Sequence, residues 1–130
     1  MSGIQLSVEL FSTPETVYDA FMDGVKQASI TGAPAIVQNH VGGTLSLYSG
    51  AVTGQFVYLK RPGLIVLTWA THDFEPHEEP SRLEMHLAPS AAGCRLQITQ
   101  DRVPQRLRKQ MINGWTSAYF PDLKAWTAPN

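Results

Sequence analysis

The chain has 130 residues, 43% hydrophobic and 16% charged, with a formal net charge of −1. That length suits one domain, residues 1–130, burying roughly two-thirds of its unfolded surface, and the composition excludes a disordered chain. The near-neutral charge argues against a nucleic-acid partner, the one cysteine, Cys94, excludes an internal disulfide and a multi-cysteine zinc site, and no apolar run approaches the ~18–20 residues that cross a bilayer.

Met1-Ser2-Gly3-Ile4 has neither a basic nor an apolar leader region, and Ser2 stands where myristoylation needs glycine. A cytoplasmic protein without a membrane partner is the expectation. Residues 4–11 alternate, with Ile4, Leu6, Val8 and Leu10 on one side, the pattern of a half-buried strand. A helix start follows, capped either by Thr13 with Pro14 in the first helical position or by Ser12 boxed with Glu15. Val17, Tyr18, Phe21 and Met22 make its apolar stripe, and Asp23-Gly24 stops it. A second helical turn is expected around Val25–Ser29, ending at Gly32.

From Pro34 to Asp101 the period changes to two. Short strands are expected over Pro34–Gln38 and Thr44–Tyr48, separated by a turn at Gly42-Gly43. Ser49-Gly50 predicts a tight hairpin into Ala51–Leu59, and Arg61-Pro62-Gly63 a turn into Leu64–Thr71. Leu64–Thr71 is apolar on both faces and so central. An acidic loop, His72–Pro80, precedes a last hairpin of Arg82–Ala88 and Cys94–Gln100. Seven hairpin-linked strands imply an antiparallel sheet.

Pro104 opens a helix expected to reach about Thr127, roughly 35 Å long. Leu107, Met111, Trp115, Ala118, Tyr119, Leu123 and Trp126 recur at steps of three and four. Pro121 should kink it, and Gly114 should permit a close backbone approach. The class is α+β: a curved antiparallel sheet of about seven strands around a long closing helix, with two short helices after the first strand. One helix cannot fill a strongly curved sheet, so a cavity is expected between them. The side chains aimed there are Tyr18 and Phe21 from the first helix, Phe56, Trp69 and Met85 from strands, and Met111, Trp115 and Tyr119 from the closing helix.

An ordered set of segments resembles a known family. These are Pro14-Glu15-Thr16-Val17-Tyr18-Asp19-Ala20-Phe21, Gly42-Gly43, Ser49-Gly50 with Gly54, Pro62-Gly63-Leu64-Ile65-Val66-Leu67-Thr68-Trp69, Ser81-Arg82-Leu83, and Gly114-Trp115 with Tyr119 and Leu123-Lys124. Together they are similar to activator of heat-shock-protein-90 ATPase homologue-like domains, in the SRPBCC or START superfamily of helix-grip folds. Ile30 stands where that family often has Trp, and Ala70 where it often has Arg. The resemblance implies the helix-grip fold and raises a chaperone as a partner. The eukaryotic co-chaperones carry a further amino-terminal domain for which 130 residues leave no room, so a small hydrophobic molecule is the first expected partner and a chaperone the second.

Other chemistry is thinly supported. His72, Asp73, Glu75, His77, Glu78 and Glu79 are metal-ligand types, but their spacing fits no metal motif, and no metal or cofactor is expected. Cys94 shares strand parity with Leu96 and Ile98, which makes it a buried small hydrophobe. His86 alternates out of phase with Leu83, Met85 and Leu87 and should face solvent. No nucleophile elbow, Walker A loop or dinucleotide fingerprint occurs. Arg102, Arg106, Arg108 and Lys109 form a basic run that should neutralise the acidic loop. The function expected is therefore non-catalytic binding of an apolar or amphipathic ligand. The alternative is a cyclase, dehydratase or resistance protein of the same superfamily, with Tyr18, Tyr119 or His72 as its polar group. The sequence leaves the oligomeric state open.

Overall fold

The computed structural model describes residues 3–129, so the reading of Met1-Ser2 lies outside the described residues. Strand β1, Ile4–Leu10, buries Ile4 and Leu10 fully and Leu6 and Val8 in part. Of the two possible caps, Thr13 serves: its hydroxyl accepts from the Thr16 amide at 3.2 Å, and Pro14 begins α1, Pro14–Phe21. Asp23 both ends that helix and caps the next. Its carboxylate accepts from the Val25 and Lys26 amides at 2.9 and 3.2 Å, which extends α2 over Gly24–Thr31. Gly32 closes it in the left-handed conformation, with φ of 77°.

The other strands are β2 Ile36–Val37, β3 Thr44–Leu47, β4 Val52–Lys60, β5 Leu64–Thr71, β6 Ser81–Pro89 and β7 Cys94–Asp101. They form one antiparallel sheet in the order β1-β7-β6-β5-β4-β3-β2. The doubly apolar β5 holds the middle place, with Ile65, Val66 and Leu67 all buried. Gly54 lets β4 meet β5: a Cβ there would stand 2.2 Å from the Thr68 carbonyl oxygen. A β-bulge between Phe56 and Tyr58 bends β4 further. The expected tight hairpin at Ser49-Gly50 is instead a 3₁₀ turn, Tyr48–Gly50. Its three residues all have positive φ, at 53°, 58° and 92°.

The closing helix crosses the sheet in four pieces: a 3₁₀ turn Gln105–Leu107, α3 Arg108–Gly114, a π-turn Trp115–Tyr119, and α4 Phe120–Thr127. Pro121 has no amide hydrogen to donate, and its ring would strike the Ser117 carbonyl in a straight α-helix; the wider turn removes that clash. The π-turn advances less per residue, so the buried stripe slips. Leu107, Met111, Trp115, Tyr119 and Leu123 are buried as expected, but Ala118 is exposed and Phe120 takes its place inside. Trp126 is half-buried. Gly114 makes no close approach, since nothing lies within 4 Å of where its Cβ would be. The helix is tied at its end by Thr127, whose hydroxyl accepts from the Phe11 amide at 3.1 Å.

Among the described residues no helix is long and apolar enough to cross a membrane.

Candidate functional site

The helix does not fill the hollow of the sheet. A cavity of about 200 Å³ opens between the ends of β4 and β5, the Tyr48–Gly50 turn and the closing helix. Its floor is aromatic: Trp69 from β5 stacks on Trp115 with centroids 5.0 Å apart, and Tyr119 meets Trp115 edge-on at 5.6 Å. Val52, Leu107 and Met111 complete buried walls. His72, Gln110 and Gly114 are exposed and form the rim. The volume exceeds the ~150 Å³ apolar cavity that holds benzene and falls below the ~300 Å³ usual for drug-sized ligands. One or two fused rings fit it.

The floor is held by a buried polar chain. Trp115 Nε1 donates to Gln100 Oε1 at 2.9 Å, Gln100 Nε2 donates to Ser81 Oγ at 2.9 Å, and Ser81 Oγ donates to the Trp69 carbonyl at 2.6 Å. Gln100 and Ser81 are fully buried, so each bond also removes a desolvation penalty. The chain returns from Trp115 to Trp69 and locks the stacked pair. On the other side Tyr119 Oη donates to Gln27 Oε1 at 2.8 Å, and Gln27 Nε2 donates to the Ala20 carbonyl at 3.0 Å. Burial pushes the Tyr119 phenol far above its ordinary pKa, so it stays neutral.

The acidic loop lies along the mouth. Arg106 donates to the Asp73 carbonyl at 3.2 Å and pairs with the Glu78 carboxylate, while Gln110 Nε2 donates to Asp73 Oδ2. The Glu75 amide, bonded to Glu78 Oε1 at 2.7 Å, and then Arg106 hold the Glu78 carboxyl below its ordinary range. Of the basic run, Arg106 thus ties the start of the helix to the acidic loop, while Arg108 Nη1 donates to the Gly3 carbonyl at 3.3 Å.

Four of the eight sequence-selected residues, Trp69, Met111, Trp115 and Tyr119, line the cavity. The other four do not. Phe21, Phe56 and Met85 border only a void of about 10 Å³ beneath the helix, room for one water at most and too small for a ligand. Tyr18 borders neither space and packs in the core. The physical reason is that α1 and α2 plug one end of the hollow: Phe21 stacks on Tyr119 at 6.1 Å, leaving room only at the other end. Sequence reasoning missed Tyr48, Val52 and Leu107 as wall residues. The positive-φ run at Tyr48-Ser49-Gly50 has Gly50 as its one visible sign.

The groups considered for proton transfer are poorly placed. The Tyr119 hydroxyl is engaged by Gln27, Tyr18 is outside the cavity, and His72 sits on the exposed rim, 3.7 Å from Asp73. Among the described residues no three His, Cys, Asp or Glu side chains converge as a metal site would require. Cys94 is fully buried and its thiol is pushed up to about 11 by desolvation, the behaviour of a packing residue. His86 is exposed and pairs with Glu84 at 3.1 Å.

Residues 12–127 match the family described as Activator of Hsp90 ATPase homolog 1-like protein. The mouse protein named activator of 90 kDa heat shock protein ATPase homolog 2 is 25% identical over 117 residues, covering 89% of this chain. This chain spans only 35% of that relative's length. An HSP90 activator from Plasmodium falciparum superposes with a TM-score of 0.87 at 23% identity, over 96% of this chain and 95% of that one. The Aha1 dimer from Colwellia psychrerythraea gives a TM-score of 0.83 at 13% identity, over 98% and 96% of the two chains. At such identities the two structures establish the helix-grip fold alone.

Proposed function

As the chain belongs to the Activator of Hsp90 ATPase homolog 1-like family, we propose that residues 1–130 act as one non-catalytic, cytoplasmic binding domain whose cavity takes a small apolar or amphipathic molecule. Fold membership alone does not assign a function; the cavity carries the reading. Its aromatic floor is rigid before any ligand arrives, because Trp115 and Tyr119 are each tied to a buried glutamine. A preformed, mostly apolar pocket costs little ordering on binding, which favours affinity. Trp69, Met111, Trp115 and Tyr119 are the contact residues of this proposal.

The test uses 2-ethylnaphthalene, which matches the cavity in size and apolarity. Titration should quench tryptophan emission saturably in the native protein. Gly114→Leu should remove the effect, since Gly114 lies on the rim with open space at its Cβ position. Equal quenching in both proteins would defeat the cavity as the binding place. A second reading, contact with a 90-kDa heat-shock chaperone, is supported by the family match and by the name of the mouse relative. Added chaperone whose ATPase rate does not change, and which does not co-purify, rejects it.

A further inference from the structure

One residue of the cavity wall carries a polar group that the fold leaves unused. Tyr48 contributes to its wall, and the Tyr48 hydroxyl is sealed from solvent with no hydrogen-bond partner. Its neighbours on the wall are different: the polar tips of Trp115 and Tyr119 are both engaged by buried glutamines. Tyr48 is also held in a backbone region that L-residues rarely adopt, with φ of 53°, followed by Ser49 at 58°. A buried hydroxyl without a partner and a bulky residue at positive φ are each unfavourable, and such residues concentrate where proteins bind or switch. Both occur at one residue, on the wall of the aromatic-floored cavity.

Resting on the binding function proposed above, we infer that Tyr48 is its selectivity residue: on ligand entry its side chain swings the sealed hydroxyl into the cavity, where the phenol donates to a neutral carbonyl or ether oxygen on an otherwise apolar, ring-sized ligand. The donor role follows from protonation, because burial, and then the charge of Asp122, keep the phenol above its ordinary pKa. The neutrality of the acceptor follows from the surroundings. Asp122 of α4 is near enough for its charge to act on the Tyr48 phenol and Asp73 stands at the cavity wall, so a carboxylate or phosphate brought there would meet like charge. The apolar remainder of the ligand follows from the floor of Trp69 and Trp115.

A matched pair tests this: 2-acetylnaphthalene and 2-ethylnaphthalene differ by a carbonyl in place of a methylene. Wild-type protein should bind the ketone about tenfold more tightly, the effect of one net hydrogen bond. Tyr48→Phe should bind both equally, and the wild-type shift of the ketone's infrared carbonyl stretch to lower frequency should vanish. Its melting temperature should not fall, since the change removes a hydroxyl that has no partner. If the hydrocarbon binds but Tyr48→Phe weakens the two probes to the same extent, or leaves the carbonyl band unmoved, the role of Tyr48 is wrong while the cavity stands. Binding of neither probe to wild-type protein overturns the cavity itself, and Tyr48 with it.

Discussion

The bond between Trp115 and Gln100 offers the sharpest check on how the cavity floor is built. Trp115→Phe removes the Nε1 donor and leaves Gln100 Oε1, fully buried, without a partner. An orphaned buried acceptor costs ~1–3 kcal/mol, and the smaller ring adds a packing loss of ~1 kcal/mol. Gln100→Leu produces the mirror orphan on the indole and removes a donor from Ser81, whose own bond to the Trp69 carbonyl survives. In the double variant neither orphan exists, so the two penalties should not add. The expected coupling is ~1–2 kcal/mol, read as a shift of roughly 1 M in the urea midpoint, taking a slope near ~1.5 kcal/mol/M for a domain of this size. Unfolding is followed by far-UV circular dichroism, because tryptophan emission changes with the substitution. Single-variant losses that sum to the double loss within ~0.5 kcal/mol would show that the polar chain does not fix the indole.

Further outcomes concern other parts of the molecule. Gly114→Ala should stabilise by ~0.5–1 kcal/mol, since a helical glycine with open space at Cβ gains only helix propensity. Gly93→Ala should do the reverse, with a lower urea midpoint, because φ is 146° and the new Cβ would stand 2.7 Å from the Ser12 carbonyl oxygen. Cys94 should react with a thiol reagent at pH 8 only at the rate of unfolding, given its burial and its raised pKa of about 11; rapid labelling of native protein would contradict the packing reading. Asp19, Glu78 and Glu84 are held below their ordinary values of 3.8, 4.5 and 4.5 by hydrogen bonds that include those from Arg61, Arg106 and Arg82 respectively. Depressed folded values mean their contribution is complete above the unfolded pKa and is lost as pH falls through the folded one. The melting temperature should therefore be level from pH 7 to about 5 and decline below about 4.5, modestly because the pairs are solvent-exposed.

Element type was legible because burial imposes a period. The alternation of Leu83, Met85 and Leu87 against Cys94, Leu96 and Ile98 specified which face of the last hairpin is inside, and all six are buried. The stripe on the closing helix was legible up to Trp115. Beyond it the pattern misled, because Pro121 forces the π-turn and shifts the inward positions from Ala118 to Phe120. A helical wheel assumes a constant turn and cannot show that slip. The cavity's contents were half legible for a related reason. Periodicity tells that Phe21, Phe56 and Met85 point into the hollow, but the end plugged by α1 depends on the approach of three elements distant in sequence. Tyr48 could not be found by alternation, since its importance comes from a backbone twist and a missing partner.

The closing helix follows every strand in the chain, yet it supplies Leu107, Met111, Trp115, Tyr119, Phe120 and Leu123 to the interior. During synthesis the hollow of the sheet therefore stays uncovered until residues 104–127 have left the ribosome, with Trp69, Leu83 and Met85 presented to water and to other nascent chains. Thr127 then closes a contact with Phe11 across 116 positions. Such long-range closure is slow and exposes aggregation-prone surface meanwhile. Polysomes carrying this message should recruit holding factors, and premature stop codons after β7 should yield inclusion bodies.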